Sequence, residues 1–163
     1  EYPSIERDDI LACIAYGEKN KYDQTPLEKA ILTRLFSFLK GMGGMFTFTN
    51  TQYYVQANGE DFFIDLLFYH RQLKCLVTID LKIGEFVTDF LNKMQFYLPA
   101  LDDVSRLPDE NSSIGILVCQ YQNETIVKYV IPESKKGTYE VVSTLPQELK
   151  NQLPEPEQVA KIE

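Results

Sequence analysis

Two acids and one lysine interrupt a pair of apolar runs in the middle of this chain. Asp65 lies in the run 62–69, and Asp80 and Lys82 lie in the run 76–82. An ionised carboxylate inside an apolar strand is costly unless a bound group compensates its charge. A divalent metal ion with a phosphate beside it would compensate both acids. These residue types therefore predict a metal-dependent phosphate site.

The spacing of the three residues places them on one face of a predicted hairpin. Side chains in a strand alternate between faces, so Asp80 and Lys82 share a face. A hairpin that turns between Gln72 and Leu73 puts Asp65 directly opposite Asp80, close enough for both carboxylates to share an ion. A register slip of one residue would turn Asp65 to the other face, so the prediction depends on the register.

Two carboxylates and a lysine at the end of a strand suit the hydrolysis of a phosphodiester. The acids would hold Mg²⁺, which lowers the pKa of bound water and neutralises charge on the phosphate. The lysine is a point charge that can orient the attacking water or help to deprotonate it. The pattern alone leaves an alternative open, in which Lys82 pairs with Asp80 or Asp65 on a solvated face.

Several longer segments carry a more specific signal than the acid-x-lysine triplet does. They are residues 27–32, 59–71 (GEDFFIDLLFYHR), 96–98, 101–103, 108–119 and 145–150. In these segments the chain resembles the YhcG-type PD-(D/E)xK nuclease domains of bacteria. The resemblance extends from about residue 26 to the end of the chain.

The resemblance implies an α/β, restriction-endonuclease-like fold, in which helices flank a central mixed β-sheet, and metal-dependent nuclease chemistry. DNA is the favoured substrate, and an RNase that uses the same site is the alternative. By position, Asp65 and Asp80 are the metal-binding strand acids and Lys82 is the catalytic lysine. Glu28 matches a helix acid that completes such sites, and the backbone carbonyl of Leu81 would be a further metal ligand. Mg²⁺ is the expected cofactor, and Mn²⁺ would substitute for it.

Two features complicate this assignment of site residues. Relatives usually carry Glu-Leu-Lys where this chain has Asp80-Leu81-Lys82, and the side chain of Asp is one methylene shorter, so the metal position must adapt. Glu28 is also the third residue of a predicted helix that Thr25 would cap. A capping box would explain Glu28 without any catalytic role.

The net charge of −8 argues against a nucleic-acid enzyme, because Lys and Arg drive phosphate binding. Residues 66–99 are the exception, with four basic and three acidic side chains. Arg71 and Lys93 lie in this segment and are candidate nucleic-acid contacts. For Lys93 the resemblance implies a phosphate contact, because relatives carry Gln or Lys at this position in the helix after the triplet. We expect weak DNA affinity for this chain alone, with help from another domain or subunit. The alternative is a catalytically weak or inactive nuclease-fold module that binds a protein partner through its acidic surface.

The elements needed to position these residues can be predicted from the apolar periodicity. Helices are predicted over 7–18, 26–40 and 86–104, and strands over 45–49, 52–56, 62–69, 76–82, 114–119, 125–131 and 138–142. These elements predict an N-terminal helical appendage and linker over 1–24 and a nuclease-like domain over 25–163. A homodimer is one arrangement in which both DNA strands would be cut.

Cysteine usage and hydropathy suggest the compartment. Cys13, Cys75 and Cys119 lack any paired spacing and are predicted to be reduced thiols, two of them in core strands. The single histidine, His70, is predicted to cap the hairpin end rather than to bind metal. With no apolar run long enough to span a bilayer, the sequence predicts a cytoplasmic protein without membrane association.

Overall fold

The structure is a computed structural model and describes residues 45–83, 87–121, 124–133 and 137–153. These residues form a six-stranded sheet, one helix and a short 3₁₀ turn. The elements are β1 (Phe46–Ala57), β2 (Glu60–His70), β3 (Cys75–Ile83), α1 (Val87–Ser105), β4 (Ile114–Tyr121), β5 (Glu124–Pro132), β6 (Tyr139–Val142) and the 3₁₀ turn (Gln147–Leu149). The helices predicted over 7–18 and 26–40, together with Glu28 and Cys13, lie outside the described residues.

The sheet is mixed, as the sequence predicts. Strand order follows chain order from β1 to β6, and every neighbouring pair is antiparallel except β3 and β4. Parallel neighbours need a crossover connection, and α1 provides it between β3 and β4. The two motif strands, β2 and β3, therefore lie inside the sheet, each between two neighbouring strands, and the helix connects β3 to β4.

The first hairpin corrects one prediction. The strands predicted over 45–49 and 52–56 are a single strand, β1, because a bulge between Phe48 and Asn50 absorbs the irregularity without ending the pairing. The turn that follows is the predicted Asn58-Gly59 pair. Both residues have positive φ, 52° and 79°, as a two-residue hairpin turn with the right twist requires.

The second hairpin has the predicted register. Leu66 pairs with Ile79 and His70 pairs with Cys75, so the centre of the turn lies between residues 72 and 73. The His70 ring stabilises this turn, because its Nδ1 accepts a hydrogen bond of 3.0 Å from the backbone N–H of Leu73. The register places residue 65 opposite residue 80, immediately beyond the last ladder pair.

The helix and the strands share a tightly packed interface. On β3, Val77, Ile79 and Leu81 belong to the core cluster on the face away from α1, which leaves the alternate residues on the helix side. Gly115 on β4 allows α1 to approach closely. A Cβ atom at this position would lie 2.6 Å from Cε of Met94. The helix therefore lies close to the sheet, and its Tyr97 contacts Asp80 of β3.

Asp102, near the end of α1, anchors the helix to two strands. Its Oδ1 accepts a hydrogen bond of 3.0 Å from the N–H of Ser113, and its Oδ2 accepts one from the hydroxyl of Tyr139. The hydroxyl groups of Ser113 and Tyr139 are 3.0 Å apart. This part of the motif 101–103 thus has a structural role, which is to fix α1 over the sheet.

Replacing His70 by alanine should destabilise the fold. The ring is fully buried, and its Nε2 lies 2.7 Å from the carbonyl oxygen of Gln152. Since Nδ1 is an acceptor, Nε2 is the N–H donor to that carbonyl. Losing two hydrogen bonds and leaving a cavity should lower the free energy of unfolding by about 2–4 kcal/mol. Urea unfolding of His70→Ala measures this loss, and the exposed Gln72→Ala in the same turn is the control. Equal unfolding midpoints for the two variants would contradict the assigned role of the ring.

Candidate active site

The carboxylates of Asp65 and Asp80 face each other at the point where β2 and β3 diverge. The backbone N–H of Asp65 donates a hydrogen bond of 3.0 Å to Oδ1 of Asp80, and the N–H of Leu81 donates one of 2.9 Å to Oδ2 of Asp65. Each carboxylate thus accepts a hydrogen bond from the backbone of the other strand. Asp65 is 7% exposed and Asp80 is fully buried. The two acids form one buried carboxylate pair.

A tyrosine of the crossover helix holds the second acid. The hydroxyl of Tyr97 donates a hydrogen bond of 2.5 Å to Oδ2 of Asp80, and it lies 3.0 Å from Oγ1 of Thr78. Because the Tyr97 proton is directed to the carboxylate, Thr78 is the donor in the second bond. The sequence placed Tyr97 in a family-like segment but could not show which side chain it contacts across the fold.

Burial and the negative charge of Asp65 oppose the ionisation of Asp80. The pKa of Asp80 is raised to about 7, first by burial and then by the negative charge of Asp65. Lys82 and the hydrogen bonds from the Asp65 backbone and Tyr97 act in the opposite direction. A cation placed between the acids would remove the repulsion, so this electrostatic arrangement is typical of a metal site.

Lys82 lies on the same face as Asp80. Its Nζ is 4.5 Å from the ring centroid of Phe90 on α1, and the side chain is half-buried. Leu81, between the two residues, packs in the core cluster on the opposite face. The shared face predicted for Asp80 and Lys82 is therefore present, and the partner acids are buried rather than on a solvated surface.

Gln52 on β1 is a site residue that the sequence did not reveal. Its Nε2 donates a hydrogen bond of 3.0 Å to Oδ1 of Asp65, and its side chain is 7% exposed. The flanking pairs, Thr51 with Leu66 and Tyr53 with Ile64, place it opposite Asp65. The prediction of a strand break at residues 50 and 51 obscured this pairing.

The remaining predicted site residues differ in their distance from the carboxylate pair. Lys93 is exposed on α1, one helical turn from both Phe90 and Tyr97, and thus lies at the rim of the site. Arg71 follows the last residue of β2, six residues beyond Asp65, which corresponds to about 20 Å along the strand. The structure therefore brings Lys93 near the acids but does not bring Arg71 near them.

The oxygen atoms at this site suit a hard divalent cation. No cluster of three or more His, Cys, Asp or Glu residues able to hold a metal occurs in the described part of the chain. Mg²⁺ commonly binds through one or two carboxylates and retains several waters, so two acids are sufficient. Beside them, Oε1 of Gln52 is buried and has no hydrogen-bond partner within the described ranges. Two carboxylates and an unpaired amide oxygen fit Mg²⁺ or Mn²⁺.

Comparisons with known proteins agree with this geometry. The sequence model of a family described as the YhcG PDDEXK nuclease domain matches residues 9–158. The chain belongs to the YhcG PD-(D/E)xK nuclease family. It is also 31% identical over 142 residues to the Escherichia coli (strain K12) protein named "Putative nuclease YhcG". That match covers 87% of this chain and 36% of the relative, so the chain spans about a third of the relative's length.

Family membership confirms the fold expected from the resemblance. The mixed sheet with its crossover helix is the α/β, restriction-endonuclease-like architecture of PD-(D/E)xK domains. Members of this superfamily generally use divalent metals, in agreement with the oxygen donors described above. The family match begins at residue 9, within the predicted appendage 1–24, and the proposed boundary near residue 25 lies outside the described residues.

Replacing Tyr97 by phenylalanine should impair the site of this YhcG-family domain without unfolding it. The hydroxyl hydrogen bond lowers the pKa of Asp80, so its loss should raise that pKa further above about 7. We expect cleavage to fall roughly 10- to 100-fold and the acidic limb of the pH–rate profile to move to higher pH. Profiles of Tyr97→Phe and of Tyr53→Phe, whose hydroxyl bonds Ser105 on the same helix, measure this shift. Superimposable profiles for the two variants would refute the role of Tyr97.

Proposed function

We propose that this domain is a metal-dependent nuclease that hydrolyses phosphodiester bonds in DNA. The observation that carries the proposal is the buried pair of Asp65 and Asp80, opposed across two strands, with Lys82 on the same face as Asp80. An arrangement of this kind destabilises the protein unless a cation or a proton joins it. Membership of a PD-(D/E)xK nuclease family supports the same chemistry.

Each residue has a distinct part in the proposed reaction. Asp65 and Asp80 would hold Mg²⁺ or Mn²⁺, with the backbone carbonyl of Leu81 as a further ligand. A bound divalent cation supplies Lewis-acid chemistry, which acidifies water and neutralises charge on the phosphate. Lys82 would position the attacking water and stabilise negative charge on the phosphate. Glu28 would assist from the helix predicted to contain it.

Hydrogen bonds hold both acids in one orientation, which would direct a bound cation and the substrate phosphate to one side of the pair. Tyr97 holds Asp80 from the helix side, and the backbone N–H of Leu81 holds Asp65, so neither carboxylate is free to turn away. Lys93 at the rim would contact a neighbouring phosphate. Arg71 lies at the far end of β2. It would contact nucleic acid only if the substrate extended from the acids to that end of the strand, and we propose it as a secondary contact.

DNA binding is proposed to need more than this chain. The acidic balance of −8 opposes association with a polyanion, and the chain spans 36% of its curated relative. Another domain or subunit, or a homodimer, would supply the missing contacts. No helix in the described ranges has the length and apolarity needed to cross a membrane. A cytoplasmic location remains a prediction from the sequence.

Cleavage of a mixed substrate panel tests the proposal. Single-stranded, duplex and branched DNA and matched RNA would be incubated with the protein at low salt in Mg²⁺, in Mn²⁺ or in excess chelator. We expect metal-dependent cleavage of at least one DNA substrate, and no cleavage in chelator. Cleavage confined to RNA would keep the site chemistry and overturn the DNA assignment. If neither this chain nor a longer protein that contains it cleaves any substrate, the assignment as a nuclease is overturned.

The second candidate is a non-catalytic module that binds a protein partner through its acidic surface. The net charge of −8 favours it. An inactive module has no need to keep two acids in a buried pair, however, because such a pair reduces stability. Equal and metal-independent behaviour of the parent protein and a Lys82→Ala variant in the cleavage panel would favour the module.

A further inference from the structure

The amide of Gln52 is fixed in one orientation by the acid that it contacts. The carboxylate of Asp65 accepts hydrogen bonds, so the group 3.0 Å from its Oδ1 must be the NH₂ of Gln52 rather than the carbonyl. Rotating the amide by 180° would put two oxygens in contact and lose the bond. Oε1 of Gln52 is therefore the amide atom that is not used in the contact with Oδ1 of Asp65.

That oxygen has no partner among the residues that the structure describes. The Gln52 side chain is more than nine-tenths buried, and its Oε1 is a buried atom without a hydrogen bond in this part of the chain. Burying an amide oxygen without a donor costs free energy, and native proteins rarely leave such an atom unpaired. An unpaired oxygen beside a carboxylate pair indicates a binding partner that carries positive charge or donates a hydrogen bond.

The backbone at Gln52 is also unusual. Its φ of 47° lies in the left-handed region, which side chains other than those of Gly, Asn and Asp seldom adopt. On the opposing strand, Ile64 and Leu66 belong to different core clusters, although residues two apart on a strand normally share a face. Both strands thus depart from regular alternation around Gln52 and Asp65. Strained backbone of this kind persists where the surroundings fix it, often at functional sites.

We propose that Gln52 is a positioning residue and an additional oxygen donor of the cation site. Its Nε2 holds Asp65 in the orientation that faces Asp80, and its Oε1 is the neutral oxygen offered to the divalent cation and its hydration shell. This inference rests on the proposed metal-dependent function. It adds a third strand, β1, to the two strands, β2 and β3, on which the sequence predicts the acids and the lysine.

Cation binding without nucleic acid tests the inference. Mn²⁺ and Mg²⁺ would be titrated by calorimetry into the parent protein, into Gln52→Met and into Gln56→Met, which makes the same change at an exposed position of β1. We expect the dissociation constant of Gln52→Met to rise roughly 10- to 100-fold and that of Gln56→Met to match the parent. Equal affinities for all three proteins would overturn the inference.

Two further variants separate the oxygen from the backbone. Gln52→Gly relieves the positive φ and removes the amide, so we expect a folded protein with weakened cation binding. Gln52→Glu keeps an oxygen donor at this position and adds a negative charge next to Asp65. We therefore expect lower stability without metal and a cation affinity at least equal to that of the parent. Parent-like binding by Gln52→Gly, or binding by Gln52→Glu as weak as that of Gln52→Met, would overturn the donor role.

The parent protein distinguishes failure of this inference from failure of the proposed function. If the parent binds neither cation, both the metal-dependent function and the role of Gln52 are overturned. If the parent binds cation with an affinity that Gln52→Met retains, the carboxylate pair still accounts for the binding and only the inference about Gln52 fails.

Discussion

Lys82→Ala is expected to lower metal-dependent DNA cleavage by roughly 100- to 1,000-fold while leaving the fold intact. Lys82 shares a face with Asp80, and its ammonium lies over the ring of Phe90, 4.5 Å from the centroid. The helix therefore holds the charge in place before any substrate arrives. Losing a preorganised charge removes stabilisation of the developing negative charge on the phosphate, which contributes most where water is excluded.

The control for this prediction is another lysine of the same chain. Lys150 is exposed and follows the 3₁₀ turn near the end of the described residues. Single-turnover rates would be compared for the parent, Lys82→Ala and Lys150→Ala, with unfolding curves for each. A cleavage rate for Lys82→Ala within about threefold of the parent, with the fold intact, would remove Lys82 from the mechanism.

Asp80→Asn is expected to abolish cleavage and yet stabilise the metal-free protein. The two effects have one cause, which is the charge that the cation site requires and the protein interior disfavours. The pKa of Asp80 is raised by burial and by Asp65 from its ordinary value of 3.8 to about 7. One pKa unit corresponds to about 1.4 kcal/mol, so a rise in pKa from 3.8 to about 7 gives an expected gain on the order of 4 kcal/mol above neutral pH.

The sign of this effect depends on pH. As the pH rises from about 4, the unfolded chain releases the Asp80 proton, whereas the folded protein holds it until about pH 7. The parent therefore loses stability across that window, and Asn, which does not titrate, avoids the loss. Urea unfolding with chelator should show a gain for Asp80→Asn at about pH 8 and little difference near pH 4.

The exposed Asp103→Asn is the matched control for the stability measurement. It removes one negative charge from the chain without altering the buried pair, so it should behave like the parent at both pH values. A loss of stability in Asp80→Asn at about pH 8 would contradict the electrostatic description of the pair.

The central hairpin was predictable from the sequence because its signals are local. Alternation of side chains in β3 fixes which face Asp80 and Lys82 share, and the turn position fixes which residue faces Asp80. Both depend on counting residues within one hairpin. A one-residue error would have turned Asp65 away, so the confirmed register is the part of the prediction with the greatest consequence.

The contacts that hold the acids were not predictable, because they join elements far apart in the chain. Tyr97 reaches Asp80 from the crossover helix, and the packing of that helix depends on Gly115 and on the anchor at Asp102. Gln52 contacts Asp65 from β1, a bulged strand that the sequence predicts as two separate strands. The apolar pattern reports the period of an element, but it does not report which polar side chains meet across the fold.

Arg71 shows that residues close together in the sequence can lie far apart along an extended strand. It belongs to the same family-like segment as Asp65, and it is a candidate contact as a basic residue of the segment 66–99, which is less acidic than the rest of the chain. An extended strand separates residues by about 3.3 Å each, so six positions place it at the far end of β2. Lys93, which is more distant in sequence, lies closer to the site because the helix crosses back over the sheet.

The rate of DNA cleavage as a function of Mg²⁺ concentration, compared between the parent protein and Asp65→Asn, tests the central claim most directly. The account predicts a saturable Mg²⁺ dependence for the parent, loss of cleavage in chelator, and no cleavage by Asp65→Asn at any Mg²⁺ concentration. Cleavage by Asp65→Asn with the same Mg²⁺ dependence as the parent would show that the buried carboxylate pair is not the metal site.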